Sequence, residues 1–194
     1  MAALRCWVRG LANMYDEAEA LALVEPFDVA GDELGGKSKE LIVSLLRHSA
    51  APFSRDQYNP GHITCTALIL HPERQDVLLM WHHRFKRWLL PGGHVETFDA
   101  TLADTARREA MEETNVQLTD AAGLLAGMDV HGIPPKKKEP YHLHHDLVFA
   151  MQAACEEITP TEEAPRVQWC EIAGLASYHV PANILRAALR VSWF

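Results

Sequence analysis

The chain has no closely spaced cysteine pair: Cys6, Cys65, Cys155 and Cys170 stand far apart, with no CxxC among them. A reduced, cytosolic thiol set is therefore expected, not disulfides or a cysteine-ligated zinc. No apolar run is long enough to span a membrane. The apolar core of a secretory signal is missing as well. Arg5 and Arg9, with no acid in the first 15 residues, give only a faint echo of a transit peptide. There is no surplus of positive charge either. The formal charge is −8, which argues against polymeric nucleic acid or an anionic membrane as partner, since both require a basic surface. Internal repeats and low-complexity tracts are absent. These absences leave a cytoplasmic globular protein.

What is present fits that class. With 194 residues, 48% hydrophobic and 23% charged, the chain has room for one domain and an extension. Residues 1–58 read as a helical N-terminal extension. The DEAEALA run from Asp16 to Ala22 is helix-forming and Pro26 ends it. A second helix is predicted over Ser38–His48, with Leu41, Ile42, Leu45 and Leu46 as its apolar stripe. The extension carries too little apolar surface to stand alone, so it is expected to pack on the main domain, residues 59–194.

Gly31 to Ser38 matches the G-x4-G-K-[ST] phosphate-binding pattern letter for letter. The context opposes that reading: no buried strand precedes it, and Asp32 and Glu33 would put negative charge where phosphates must sit. A glycine linker before a helix is the better account. Past the Asn59-Pro60-Gly61 turn, strands are predicted over His62–Leu70, Asp76–Trp81, Arg87–Leu90, Leu124–Val130, Tyr141–Met151 and Arg166–Ile172. A C-terminal helix runs from Pro181 to Arg190 with Ile184, Leu185, Ala188 and Leu189 inward.

The organising stretch is PGGHVETFDATLADTARREAMEETNV, residues 91–116. A helix capped near Asp99 or Thr101 should place Leu102, Ala106 and Ala110 on its packed side, with Asn115 as a left-handed C-cap. Glu109, Glu112 and Glu113 then share one face. Like charges at that spacing repel unless a cation lies among them. Oxygen ligands alone suit a hard ion such as Mg²⁺, which takes a few carboxylates, waters and substrate phosphates. Glu109 and Glu113 border the packed side, which weakens the reading of a merely solvated face. Gly92 and Gly93 allow positive φ and close approach of backbone to a ligand.

This stretch resembles the Nudix box, G-x5-E-x7-R-E-U-x-E-E-x-G-U with U apolar. Gly93, Arg108, Glu109, Ala110, Glu112, Glu113 and Val116 stand at the matching positions. Asp99 replaces the usual Glu, eight residues separate it from Arg108 instead of seven, and Asn115 replaces the last Gly. The phrases PGHITCTALIL, RWLLPGGHVE and EPYHLHHDLVF are similar to a bacterial-type subgroup of the family. The resemblance implies an α/β/α sandwich on a mixed β-sheet, with the box as loop–helix–loop. It also implies Mg²⁺-dependent hydrolysis of a diphosphate linkage in a nucleotide or nucleoside diphosphate derivative, with Mn²⁺ as a substitute metal. Glu109, Glu112 and Glu113 would be metal ligands, Glu109 or Glu113 would accept the water's proton, and Arg108 would orient Glu109. The partner is then a small nucleoside diphosphate-type molecule, and a homodimer is allowed. A Nudix-fold sensor that binds without hydrolysis is the alternative, against which the intact Arg108/Glu109/Glu112/Glu113 set speaks.

Eleven histidines is a high count. His142, His144 and Asp146 alternate on a strand and project from one face, opposite Tyr141, Leu143, His145, Leu147 and Phe149. Two readings stay open: a wall of the substrate cleft, binding phosphate or a further metal, or an ordinary half-exposed strand. His82, His83 and His94 are read as structural, with His94 the best placed to contact the site indirectly. Lys136–Lys138 read as a solvated loop, and Trp81, Phe85 and Trp88 as core aromatics rather than a base-stacking set.

Overall fold

Strand β1 (Gly61–Leu70) is apolar or small at most positions and is buried along nearly its whole length, so strands must flank it on both sides. The computed structural model describes residues 16–191; Cys6 and the arginines at 5 and 9 lie outside them. On one side of β1 runs β6 (His142–Gln152), parallel to it from Gly61↔Leu143 to Leu70↔Gln152. Next to β6 lies β5 (Leu124–Ile133), antiparallel, with a bulge between Leu125 and Gly127. On the other side, β1 pairs with β2 (Asp76–His82) at Leu70↔Val77 and with β4 (Gly92–His94) along Thr64–Thr66. Strands β3 (Arg87–Leu89) and β7 (Val167–Glu171) are both antiparallel to β2. One mixed sheet results.

The period-two alternation of β1 and β6 divides the core between two faces. Ile63, Cys65, Ala67, Ile69, Leu147, Phe149 and Met151 meet helices α1 (Glu17–Val24), α2 (Glu33–His48) and α3 (Leu102–Thr114) on one side. Leu68, Val148 and Ala150 meet a 3-10 helix (Ile172–Tyr178) and α4 (Ala182–Val191) on the other. Each fully buried Ile, Leu or Phe contributes about 1.5–3 kcal/mol. This is the expected α/β/α sandwich.

Several elements differ from the sequence expectation. Helix α2 begins at Glu33, five residues before Ser38, because the Asp32 side chain caps it by accepting from Gly35 N–H at 2.8 Å. The P-loop-like stretch is therefore a cap and first turn, and Asp32 also pairs with Arg186 at 3.0 Å. Leu41 and Leu189 are exposed, while Ala187 is buried in the α4 stripe. The Pro91-Gly92-Gly93 turn continues as strand β4. No helix among the described residues is long and apolar enough to cross a membrane.

Candidate active site

Helix α3 is held at both ends as its sequence dictates. Thr101 caps the start, its hydroxyl accepting from Asp104 N–H at 3.1 Å. Asn115 closes it in the left-handed conformation at φ 52°. Leu102, Ala106 and Ala110 are buried against the sheet. That anchoring turns Glu109 and Glu113 towards β4, while Glu112 stays largely exposed.

Strand β4 is what the two carboxylates meet. Gly92 N–H donates to Glu113 Oε2 at 2.9 Å. Gly93 lies so close to Glu109 that a Cβ there would come within 2.5 Å of its carboxylate. A Cβ on Gly92 would likewise stand 2.7 Å from the Cys65 carbonyl oxygen. Neither glycine has positive φ. Their requirement is close packing, not the left-handed backbone that their sequence suggests.

Arg108 holds this corner together. Its Nε and Nη2 reach the two oxygens of Asp99 at 2.8 and 3.0 Å, and Nη2 also donates to the His94 carbonyl at 2.9 Å. Nη1 donates to Glu109 Oε1 at 2.8 Å and Glu112 Oε2 at 3.1 Å. Asp99 accepts further from Glu96 N–H and the Thr105 hydroxyl. Burial alone would raise the Asp99 pKa, but these bonds, Arg108 first, hold it below the ordinary carboxylate value. Asp99 therefore clamps Arg108 instead of capping the helix.

The carboxylates themselves are strained electrostatically. Burial pushes Glu113 up to about 8, partly offset by Gly92 N–H and reinforced by Glu109, Glu163 and Glu112. Burial also raises Glu109 against the pull of Arg108. Two half-buried acids one helical turn apart favour either protons or a cation between them.

Both line a cleft of about 620 Å³. The sheet supplies another part of its lining: Asp146 Oδ1 accepts from the Thr64 and Thr66 hydroxyls, each at 2.9 Å, and burial lifts Asp146 to about 6. His144 also lines the cleft, and burial drops it to about 2, so its ring is neutral. His142 opens instead on a smaller pocket of about 60 Å³ beside it. Sequence reasoning missed Thr64, Thr66, Asp129 and His131 here, and also Arg84 and Arg87 at the cleft wall; Phe85, expected in the core, is half-buried and lines the cleft instead. Two hydroxyls inside an otherwise apolar strand were the available clue for Thr64 and Thr66. Trp81 and Trp88 pack edge to face at 5.6 Å, with Trp88 buried, as expected of core aromatics. Lys136, Lys137 and Lys138 are exposed and lie outside the cleft lining.

Comparisons with known proteins agree with this architecture. The NUDIX domain family model matches residues 61–188. A curated relative, the CMP-5'-(N-acetyl-N-hydroxy-3-aminopropyl)phosphonate hydrolase of Streptomyces rubellomurinus, is 32% identical over 113 residues, which are 54% of this chain and 52% of the relative. The chain thus spans about half the length of that relative. The NUDIX domain of Shewanella oneidensis NrtR, solved with ADP ribose, superposes with a TM-score of 0.50 at 19% identity, covering 68% of this chain and 86% of that one. A NUDIX-family hydrolase from Clostridium perfringens gives 0.48 at 18% identity, covering 68% and 97%. These structural likenesses concern the fold alone. With the family model covering the whole sheet and the box helix, the chain belongs to the NUDIX domain family.

Proposed function

We propose that this chain is a Mg²⁺-dependent pyrophosphohydrolase that cleaves the diphosphate linkage of a nucleotide or nucleoside diphosphate derivative. The observation that carries the reading is the convergence of Glu109 and Glu113 on the Gly92–Gly93 backbone at the wall of a substrate-sized cleft. Their oxygen-only donor set, desolvated and short of positive charge, fits a hard divalent cation, with Glu112 as the outer third carboxylate. Mn²⁺ is the expected substitute. When bound, the ion neutralises diphosphate oxygens and acidifies water.

The protein's own residues do the rest in this reading. Arg108 fixes the Glu109 carboxylate through Nη1 and is itself fixed by Asp99. Glu109 or Glu113 takes the proton of the attacking water, a task for which a carboxyl raised towards neutrality is suited. Gly92 and Gly93 let phosphate approach without a side chain in the way. His144 and Asp146 line the same cleft, and Phe85, under the Arg84 guanidinium at 5.3 Å, offers a ring to a base. The named substrate of the Streptomyces relative, a CMP-linked phosphonate, supports a nucleoside-linked acid anhydride as the class. A reducing, cytoplasmic setting belongs to the same proposal, as does the division into an extension over 1–58 and a hydrolase domain over 59–194.

A panel of nucleoside triphosphates, nucleotide sugars, dinucleotide polyphosphates and CMP-linked phosphonates, with and without Mg²⁺, tests the reading. Metal-dependent phosphate release after phosphatase coupling is the expected result. Thermal stabilisation by these ligands with no metal-dependent release would instead establish a binding sensor.

A further inference from the structure

Beyond the carboxylate corner, a second group of side chains has the make-up of a metal site. The parallel register of β1 and β6 sets His62 beside His144. His142, two residues earlier on β6, projects from the same face. The ring centroids of His62, His142 and His144 are 5.0–5.2 Å apart. One nitrogen from each lies within 4.8 Å of the other two. His62 and His142 are almost completely buried, and His144 is half-buried.

The hydrogen bonds separate this group from a stack of packed rings. His62 Nδ1 lies 3.0 Å from the Gln57 carbonyl, and His142 Nδ1 lies 2.9 Å from the Pro140 carbonyl. A carbonyl only accepts, so both Nδ1 atoms carry the proton and both Nε2 atoms present lone pairs. The Nε2 of His62 is buried with no hydrogen-bond partner. An orphaned buried acceptor is destabilising, and packing alone gives no reason to bear that. Histidines oriented through Nδ1–H to backbone carbonyls are the usual outer support of imidazole metal ligands.

The geometry points to a transition-metal site at His62, His142 and His144, of a class that takes Zn²⁺. Three imidazoles and no carboxylate suit Zn²⁺ and disfavour Mg²⁺. At Zn–N distances of about 2.0–2.1 Å, tetrahedral ligand nitrogens stand roughly 3.4 Å apart, so side-chain rotations that move each nitrogen by about an ångström close the site. The fourth position belongs to water or an anionic group from the 60 Å³ pocket that His142 and His144 line with Arg55 and Glu139. The site is distinct from the Glu109/Glu113 corner and adjacent to it. His94 lies 5.0 Å from His62 and 5.3 Å from His144 ring to ring, and its carbonyl accepts from Arg108. Zn²⁺ binding here does not depend on hydrolysis at Glu109 and Glu113, although His144 also lines their cleft.

The test titrates the metal-stripped full chain with Zn²⁺ and, separately, with Co²⁺. A single tightly held equivalent of Zn²⁺ is expected, together with the intense visible bands of a tetrahedral Co²⁺ centre. Glu109→Gln should retain both. His142→Ala and His144→Ala, checked for native circular dichroism, should each weaken Zn²⁺ affinity about tenfold or more. The Co²⁺ spectrum of the unaltered chain needs no variant and guards against a histidine substitution that misfolds. Only the pale bands of six-coordinate Co²⁺, or Zn²⁺ binding that follows Glu109→Gln and ignores both histidines, would overturn the assignment.

Discussion

The single residue that departs most from the expected box, Asp99, proves to be its main buttress. It is one methylene shorter than the Glu of the family pattern, and the turn to Arg108 is one residue longer. Nevertheless it binds the guanidinium through both oxygens while almost fully buried. Removing one partner of such a pair leaves an uncompensated charge at a cost of about 3–5 kcal/mol. Asp99→Ala is therefore expected to lower unfolding free energy by about that amount in urea titrations, and to lower turnover by loosening Glu109. Asp99→Asn should fall in between. Glu113 gives a second prediction at this scale. Its pKa in the folded, metal-free chain is about 8, against 4.5 for the free side chain. The folded state thus holds more protons than the unfolded one between those values, and stability contributed by this group falls as pH rises through that window. The wild-type chain without metal should lose stability from pH 4.5 to 8 relative to Glu113→Gln. Mg²⁺ should raise the melting temperature more at the upper end than at the lower. Parallel wild-type and Glu113→Gln curves would refute this.

At the scale of elements, the site depends on how closely β4 lies under α3. The carboxylate of Glu109 occupies the space a Cβ on Gly93 would need. Gly93→Ala should keep the fold and displace the Glu109 carboxylate by about an ångström, a shift that costs on the order of 10²-fold in turnover. An unchanged kcat would show that this proximity is irrelevant. Helix α2 carries the other prediction. Ile42, Leu45 and Leu46 share one buried cluster with β1, β6 and α3. Ile42→Ala is expected to destabilise the whole molecule by about 2–5 kcal/mol in a single unfolding transition. A separate early transition would mean that the extension folds on its own.

What the sequence made legible across the whole molecule follows from which forces are local. Helix α3 could be read closely because its cap, apolar stripe and left-handed Asn115 are all encoded within a few turns. The strands could be read from β-branched runs closed by proline and glycine. The start of α2 could not, because Gly35 and Gly36 suggest a linker until Asp32 is seen capping them. Strand β4 exists only through pairing with β1, a long-range fact that Gly-Gly-His does not announce. Similarly, His142, His144 and Asp146 were visible as one face of a strand, but their partners His62, Thr64 and Thr66 emerge only from the β1–β6 register. The measurement that bears most directly on the central claim is steady-state turnover of the best panel substrate by wild type and by Glu109→Gln, each with Mg²⁺. A loss of about 10²–10⁴-fold in kcat is expected for a variant with native circular dichroism. Near-normal Mg²⁺-dependent turnover by that variant would contradict it.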